Sequence, residues 1–245
     1  TVSNCDIYGN NLIFDAISNG NIDIIKRIAS IKEININQIN NDGNTILHKD
    51  IVLKNNELAL LLIDFGADPT ILDKEGKSFL FYCISEGIKN ISVLQKVVLL
   101  GYDINSKNGQ NKTLLMESIN CYLHTPKDNV EIKNSHLEMI KELIHLGINV
   151  NALDNNNETL LFILVRHGNR ELLHLFLETN KMNLNYQNNQ DETPLLLMAL
   201  NGIKNADLIK LFLEKGPRSS LDGYSHCSDY LPETAQNNEI TVFRC

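Results

Sequence analysis

The residues of this sequence best suited to chemistry are its seven histidines and five cysteines. Cys121 lies three positions before His124, and His226 is followed directly by Cys227. Either pair could ligate a metal ion or form a thiol–imidazole nucleophile. Neither pair has a third ligand or an orienting acid nearby in sequence, and no CxxC pair occurs. Incidental proximity is therefore the preferred interpretation, and we expect no catalytic residue, metal site or cofactor.

The sequence also lacks the common catalytic and nucleotide-binding motifs. It contains no GxGxxG, GxxxxGK[ST], HExxH or GxSxG segment. Its carboxylates fall mainly on predicted turns and exposed helix faces, where solvation is their ordinary role. The sequence therefore favours a protein that is not an enzyme.

The charge and composition of the sequence argue against nucleic acids and membranes as partners. The formal net charge of −8, without a run of four basic residues, argues against nucleic-acid binding. No window of about 18 apolar residues exists, so no membrane contact is expected. The start of the chain has neither a basic nor an apolar region typical of a signal peptide. An odd number of widely spaced cysteines favours a reducing compartment, so a cytoplasmic location is expected.

The elements that must position any functional residue repeat along the chain. Six segments align on a polar residue that follows a predicted turn and precedes an apolar run. The aligned positions are Asn11, Thr45, Ser78, Thr113, Thr159 and Thr193, separated by 34, 33, 35, 46 and 34 residues. A period near 33 with one insertion indicates a repeat architecture.

Each segment reads as a turn, a helix of two to three turns, a short loop and a second helix. In "NELALLLIDFG" the residues Leu58, Leu61, Leu62 and Phe65 recur at helical spacing. Gly66 follows as a left-handed helix cap. Thr45 is expected to cap the first helix of the second segment, and Pro194 stands at the first helical position of the sixth segment.

These features resemble the ankyrin repeat family. The turn-plus-TPLH motif is matched by "TILH" at 45–48 and "TPLL" at 193–196, and the closing motif by "GAD" at 66–68. The resemblance covers about residues 5–217. It implies an all-α, elongated and curved solenoid of stacked helix-turn-helix units, with β-turn fingers at right angles to the helices. His48 is then expected to be structural, bonding between adjacent turns.

Three regions depart from the regular pattern. The fourth unit is longer, and Pro126 and the polar run to Ser135 predict a loop near 120–135, with Ser135 capping the helix that follows. The array is expected to span residues 1–217, in about six repeats. Residues 218–245 read as a degenerate capping repeat or as a tail.

The resemblance implies protein binding along a concave groove made by the turn tips and the first helices. Tyrosine and arginine most often dominate such contacts, so Tyr8, Arg166 and Tyr122 are the preferred candidates. The complete predicted set is Tyr8, Asn10, Asn41, Asp42, Asn44, Lys74, Glu75, Lys77, Tyr122, Asn155, Asn156, Glu158, Arg166, His167, Asn189, Gln190 and Glu192.

The expected partner is a protein. The bias towards Asn, Ile and Lys is typical of AT-rich genomes, and it resembles ankyrin proteins of poxviruses and intracellular bacteria. Such proteins act in the host cytosol on signalling or ubiquitin-pathway proteins. Two alternatives stay open: the targeting arm of an enzyme whose catalytic part lies elsewhere, and an IκB-like inhibitor of a basic transcription factor.

Overall fold

A computed structural model describes residues 5–49, 52, 54–200, 209, 210, 212 and 214. Those residues form helices joined by turns and short loops, without strands. The α-helices among them are α1 (Leu12–Ser18), α2 (Ile22–Ala29), α3 (Asn56–Asp64), α4 (Phe79–Glu86), α5 (Ile91–Leu99), α6 (Leu114–His124), α7 (Val130–His145), α8 (Leu160–His167), α9 (Arg170–Glu178) and α10 (Pro194–Leu200). In this part of the chain, none of the helices combines the length and the apolarity needed to cross a membrane.

The chain divides into two compact units, Thr1–Ile148 and Asn149–Cys245. In the amino-terminal unit α1 packs on α2 and α6 packs on α7, while α3 contacts α5 and α4 contacts α6. In the carboxyl-terminal unit α8 packs on α9 and also contacts α10. Each unit is therefore built from helical hairpins whose helices contact the matching helices of the next hairpin.

Stacking is required because most of the helices are short. Most have seven to nine residues, a length at which an isolated helix is unstable in water. Each of them buries apolar side chains against its neighbours, as Leu58, Leu62 and Phe176 illustrate. The first helix of the second repeat is described only as a 3₁₀ turn at Ile46–His48 and as helical backbone at Val52.

Helix ends follow local rules that the sequence indicated. Thr113 Oγ1 accepts the Met116 N–H of α6 at 3.3 Å, and Pro194 is the first residue of α10. After α3, Gly66 has a φ of +94°, and the Ala67 N–H donates to Leu62 O at 2.9 Å. This arrangement is the left-handed cap expected at Gly66.

The insertion in the fourth repeat is not the long loop that the sequence predicts. Helix α6 continues to His124, and α7 begins at Val130, so the connection is short. Asn129, rather than Ser135, caps α7 by accepting the Ile132 N–H at 3.4 Å. Inside α7 the buried residues recur at helical spacing: His136, Met139, Ile140 and Leu143. Extra helical turns therefore absorb most of the inserted residues.

The predicted division at residue 217 is not tested. The proposed cap or tail at 218–245 lies outside the described residues.

Candidate protein-binding surface

Six turns, here called fingers, have the same hydrogen-bonded framework. In each finger an Asp or Asn Oδ1 accepts two main-chain N–H groups, from the residues two and four positions later. In the third finger, for example, Asp73 Oδ1 accepts the Glu75 N–H at 2.8 Å and the Lys77 N–H at 2.9 Å. The six leading residues are Asp6, Asn40, Asp73, Asn108, Asp154 and Asn188. A side chain thus fixes each finger before any partner arrives.

Every finger also places a residue in the left-handed region, three positions after the leading residue. Glycine occupies that position in the first three fingers, as Gly9, Gly43 and Gly76, with φ between +73° and +82°. In the later fingers Asn111, Asn157 and Asp191 adopt φ values of +59° to +60°. Asn and Asp tolerate this conformation better than other residues with a side chain, so the six fingers share one backbone shape.

Three pairs of neighbouring fingers are joined by main-chain hydrogen bonds. In the amino-terminal unit the Asn41 N–H donates to Tyr8 O at 2.8 Å, and the Gly109 N–H donates to Gly76 O at 2.7 Å. In the carboxyl-terminal unit the Asn189 N–H donates to Asn156 O at 3.2 Å. Between the second and third fingers the link is a side chain, since the Lys74 ammonium group donates to Asn41 O. Hydrogen bonds thus connect successive tips within each unit.

Most of the predicted contact residues are accessible. The exposed ones are Tyr8, Asn41, Asp42, Lys74, Glu75, Asn155, Asn156, Arg166, His167, Asn189 and Gln190. The half-buried ones are Asn10, Asn44, Lys77 and Glu192. Tyr8 is 62 % exposed, and the apolar Ile7 beside it, which sequence reasoning omitted, is 84 % exposed. Exposure makes these residues available to a partner, and their role in binding stays a prediction.

Two of the predicted contact residues are buried, contrary to the expectation that they are accessible to a partner. The first is Glu158. It is only 2 % exposed, because its carboxylate faces inwards from the fifth finger. The carboxylate accepts hydrogen bonds from both terminal nitrogens of the Arg166 guanidinium. Asn188 Nδ2 also donates to Glu158 Oε1 at 3.1 Å. Burial raises the pKa of Glu158, but the hydrogen bonds from Arg166 and Asn188 outweigh it and lower the pKa overall. The Arg166 side chain is thereby held in place within its own repeat.

Tyr122 is the second correction. The sequence places it in an exposed loop, whereas it lies in α6 and is 2 % exposed. The ammonium group of Lys133, from the first turns of α7, stands 4.8 Å from its ring centroid. Tyr122 therefore packs between α6 and α7 and is not accessible to a partner.

Sequence reasoning missed Tyr82, a half-buried residue of α4 beside the third finger. Its hydroxyl donates to Asp73 Oδ2 at 2.6 Å, and Lys77 Nζ lies 5.9 Å from its ring centroid. Burial and the neighbouring Asp73 carboxylate raise the pKa of Tyr82, so the hydroxyl stays protonated. The sequence did contain a signal for Tyr82, namely its place in the repeat. It stands four residues after Ser78, one turn into the first helix of its repeat. Tyr82, Asp73 and Lys77 are called the Tyr82 cluster below.

The buried side chain of His48 packs against the Tyr82 cluster. Its ring meets Tyr82 edge to face at a centroid distance of 5.8 Å. Nδ1 accepts the Thr45 N–H at 3.2 Å, which puts the proton of the neutral ring on Nε2. At Nδ1 the ring bonds within its own turn, and a hydrogen bond with the backbone of Lys77, in the next finger, raises the pKa of His48, in agreement with the expected link between adjacent turns. Burial is the largest influence on the pKa of His48 and lowers it.

Neither cysteine–histidine pair gains support as a nucleophile. Burial, together with the charge of Glu117, raises the pKa of Cys121 to about 11, and His124 Nδ1 lies 2.8 Å from Asn120 O. A protonated thiol is a poor nucleophile. His226 and Cys227 lie outside the described residues. Among the residues that are described, no group of three His, Cys, Asp or Glu side chains could hold a metal ion.

Comparison with protein families and curated proteins agrees with this geometry. A family model described as ankyrin repeats (3 copies) matches residues 12–108 and 129–222. The chain is 25% identical over 156 residues to ankyrin repeat protein L371 of Acanthamoeba polyphaga mimivirus, covering 56% of this chain. It is 24% identical over 196 residues to ankyrin repeat protein FPV022 of fowlpox virus, covering 61% of this chain. It spans 20% and 34% of the lengths of these two relatives.

Solved structures give the same result. An ankyrin repeat domain from Acinetobacter baumannii superimposes with a TM-score of 0.64 at 25% sequence identity. The match covers 83% of this chain and 96% of the bacterial one.

Proposed function

This chain belongs to the ankyrin repeat family, and from that premise we propose that it binds a partner protein through its fingers and the first-helix residues beside them. The binding is non-catalytic. The surface consists of the exposed tip residues in each unit and, in the amino-terminal unit, the Tyr82 cluster.

The shared framework of the fingers carries the proposal. Each tip is fixed by its leading Asp or Asn, and neighbouring tips within a unit are joined by hydrogen bonds, which involve the main chain of both fingers or, at Lys74, a side chain. A surface that is ordered before binding loses little conformational entropy on association. Exposed Asn, Asp, Lys and Glu side chains on such a framework suit a polar protein surface.

Tyr8 and the Tyr82 cluster are the proposed centres of binding in the amino-terminal unit. Both tyrosines combine a large apolar ring with a polar tip, the combination most often found at the centre of protein interfaces. Tyr82 is oriented by Asp73, and Tyr8 lies beside the exposed Ile7. Lys74 and Glu75 place opposite charges at the tip of the third finger, next in sequence to Asp73 of the Tyr82 cluster, which suits a partner with a mixed charge pattern.

The partner that we favour is a host signalling or ubiquitin-pathway protein, met in the host cytosol. Support comes from the similarity to ankyrin repeat proteins of mimivirus and fowlpox virus. The bias towards Asn, Ile and Lys, which is typical of AT-rich genomes, agrees with such a source. The described fingers lend no particular support to an IκB-like inhibitor, because Lys74 and Lys77 offset the nearby acidic residues.

The test is quantitative affinity purification from a candidate host lysate with the complete chain as bait. Tyr8→Ala and Tyr82→Ala are each expected to reduce capture of a specific protein at least tenfold, because each removes a central aromatic contact. Leu99→Ala is the matched control, since Leu99 is an exposed apolar residue of α5, outside the fingers and first helices. Equal capture by all four baits would contradict the proposed surface. Circular dichroism of each variant separates lost binding from lost folding.

A further inference from the structure

Two asparagines of the amino-terminal unit are followed directly by glycine, in the pairs Asn19–Gly20 and Asn108–Gly109. An asparagine in this position can react with its own main chain, because glycine has no Cβ to keep its amide nitrogen away from the preceding side chain. The reaction needs a mobile glycine nitrogen and a side-chain amide that can turn towards it. The surroundings of the two pairs differ in both respects.

The pair Asn108–Gly109 is held firmly in the fourth finger. Asn108 is 9 % exposed, and its Oδ1 accepts the Gln110 N–H at 3.0 Å and the Lys112 N–H at 2.9 Å. The Gly109 N–H donates to Gly76 O at 2.7 Å in the third finger. Releasing the Gly109 nitrogen therefore requires two fingers to separate and the finger framework to break.

The pair Asn19–Gly20 lies in the exposed turn between α1 and α2. The Gly20 N–H donates to Ile17 O at 3.0 Å, and Asn19 Nδ2 donates to Asp15 O at 3.0 Å. Both bonds belong to the last turn of α1, a helix of seven residues. Since the ends of helices fray, opening that one turn frees both reacting groups without moving a neighbouring repeat.

We propose that Asn19–Gly20 is a site of spontaneous modification by deamidation, whereas the fold protects Asn108–Gly109. The Gly20 nitrogen attacks Asn19 Cγ, so that a bond forms between these atoms and the Cγ–Nδ2 bond breaks. Ammonia leaves with the proton of the Gly20 N–H. Water then opens the cyclic imide at either carbonyl and gives aspartate or isoaspartate at position 19. The reaction uses no oxidant and no cofactor.

The modification would weaken the first hairpin. The product has no Nδ2 to donate to Asp15 O, and its carboxylate stands at the carboxyl-terminal end of α1, where the helix dipole disfavours negative charge. Isoaspartate also inserts a methylene carbon into the main chain just before Asn21. The Oδ1 of Asn21 caps α2 by accepting the Asp23 N–H at 3.0 Å. Deamidation thus limits the lifetime of the first repeat.

The test ages the complete chain at mildly alkaline pH and follows both asparagines by peptide mapping with mass spectrometry. Labelling with isoaspartyl methyltransferase identifies the isoaspartate product. In the folded chain, deamidation of Asn19 is expected to be about tenfold faster than that of Asn108, or more. In concentrated urea the two rates are expected to converge, because the contacts that protect Asn108 are lost.

A rate at Asn19 no higher than that at Asn108 in the folded chain would overturn the proposal. The same ratio of rates in urea would also overturn it, because flanking residues rather than the fold would then set the difference. Asn19→Gln is the matched variant, since it keeps an exposed amide but would have to close a larger ring. Hydrogen exchange in α1 and α2 should become faster on ageing in the wild type and stay constant in Asn19→Gln. Equal changes in both would contradict the expected weakening of the hairpin.

Discussion

Asparagine performs three distinct structural roles in this protein, although its abundance was interpreted from the sequence as a sign of an AT-rich genome. It caps helices, as Asn55 does by accepting the Leu58 N–H at 3.0 Å. It leads fingers, as Asn40 does, and it occupies left-handed positions, as Asn157 does at φ +59°. Each role uses a short side chain that hydrogen bonds to nearby main chain. The composition thus reflects local structure as well as any bias of the genome.

At the residue scale the sharpest prediction concerns Arg166 and Glu158. Arg166→Ala leaves a buried carboxylate without its guanidinium partner, and we expect it to destabilise the carboxyl-terminal unit by about 2 kcal/mol. Glu158→Gln should cost less, because it leaves only a partly exposed guanidinium unpaired. Urea unfolding monitored by circular dichroism measures both changes.

The double variant Glu158→Gln with Arg166→Ala is the control for this pair. Because it contains neither buried charge nor unpaired cation, it should recover part of the stability lost in Arg166→Ala. A double variant less stable by the full sum of the two single losses would show that the two side chains act independently.

At the scale of elements, the stacking of fingers depends on close main-chain approach. A Cβ built on Gly76 would lie 2.6 Å from the Cα of Gly109, in the next finger, while one built on Gly66 would meet no atom within 4 Å. Both glycines have positive φ, +73° and +94° respectively. The two positions therefore differ in contact but share the same conformational constraint.

This difference yields a prediction for Gly76→Ala and Gly66→Ala. Gly66→Ala should cost about 1–2 kcal/mol, since only the left-handed backbone is strained. Gly76→Ala adds a main-chain collision and should cost about 3 kcal/mol or more. Chemical denaturation of the two variants provides the comparison. Equal losses would mean that the fingers can separate without cost.

Helices α6 and α7 illustrate the same dependence on tertiary contact. The polar run after Pro126 carries weak helical signals, yet α7 begins at Val130. The first turns of α7 are packed against the rest of the unit, because the Lys133 ammonium group lies over the Tyr122 ring and His136 is buried. Packing outweighs the low local propensity, as is common for helices in repeat proteins.

At the scale of the whole molecule, stability is expected to depend on pH through two buried histidines of the amino-terminal unit. Burial is the largest influence on the pKa of His48 and of His136, and it lowers both below the ordinary value of 6.5. His136 Nδ1 is buried without a hydrogen-bond partner among the described residues. A proton on either ring would therefore be poorly solvated in the folded state.

The sign of the pH dependence follows from these shifts. Because the folded-state pKa values lie below 6.5, the unfolded chain binds protons first as the pH falls. The stabilisation is fully present above pH 6.5 and is lost progressively below it. We expect a lower thermal midpoint at pH 5.5 than at pH 7.5, measured by differential scanning calorimetry.

Asp73 and Glu158 act in a separate range. Their pKa values are lowered from 3.8 and 4.5, so their contribution is lost only in more acidic solution. His136→Gln, which removes one titrating ring, should flatten the profile between pH 7.5 and 5.5. A wild-type midpoint that does not change over this interval would contradict the assignment.

The sequence alone determined the repeat period, the helical hairpin, the left-handed cap at Gly66 and the start of α10 at Pro194. These features depend on hydrogen bonds and apolar spacing within a few residues, so a local pattern is sufficient to predict them. The tertiary structure decided which residues of that pattern are accessible. Glu158 faces Arg166, Tyr122 lies under α7, and Tyr82 is oriented by Asp73, because each environment brings together residues eight or more positions apart. Burial of a side chain depends on the elements packed against it. Lys77 and Glu158 both stand four residues after the leading residue of their finger, yet Lys77 is half-buried and Glu158 is buried.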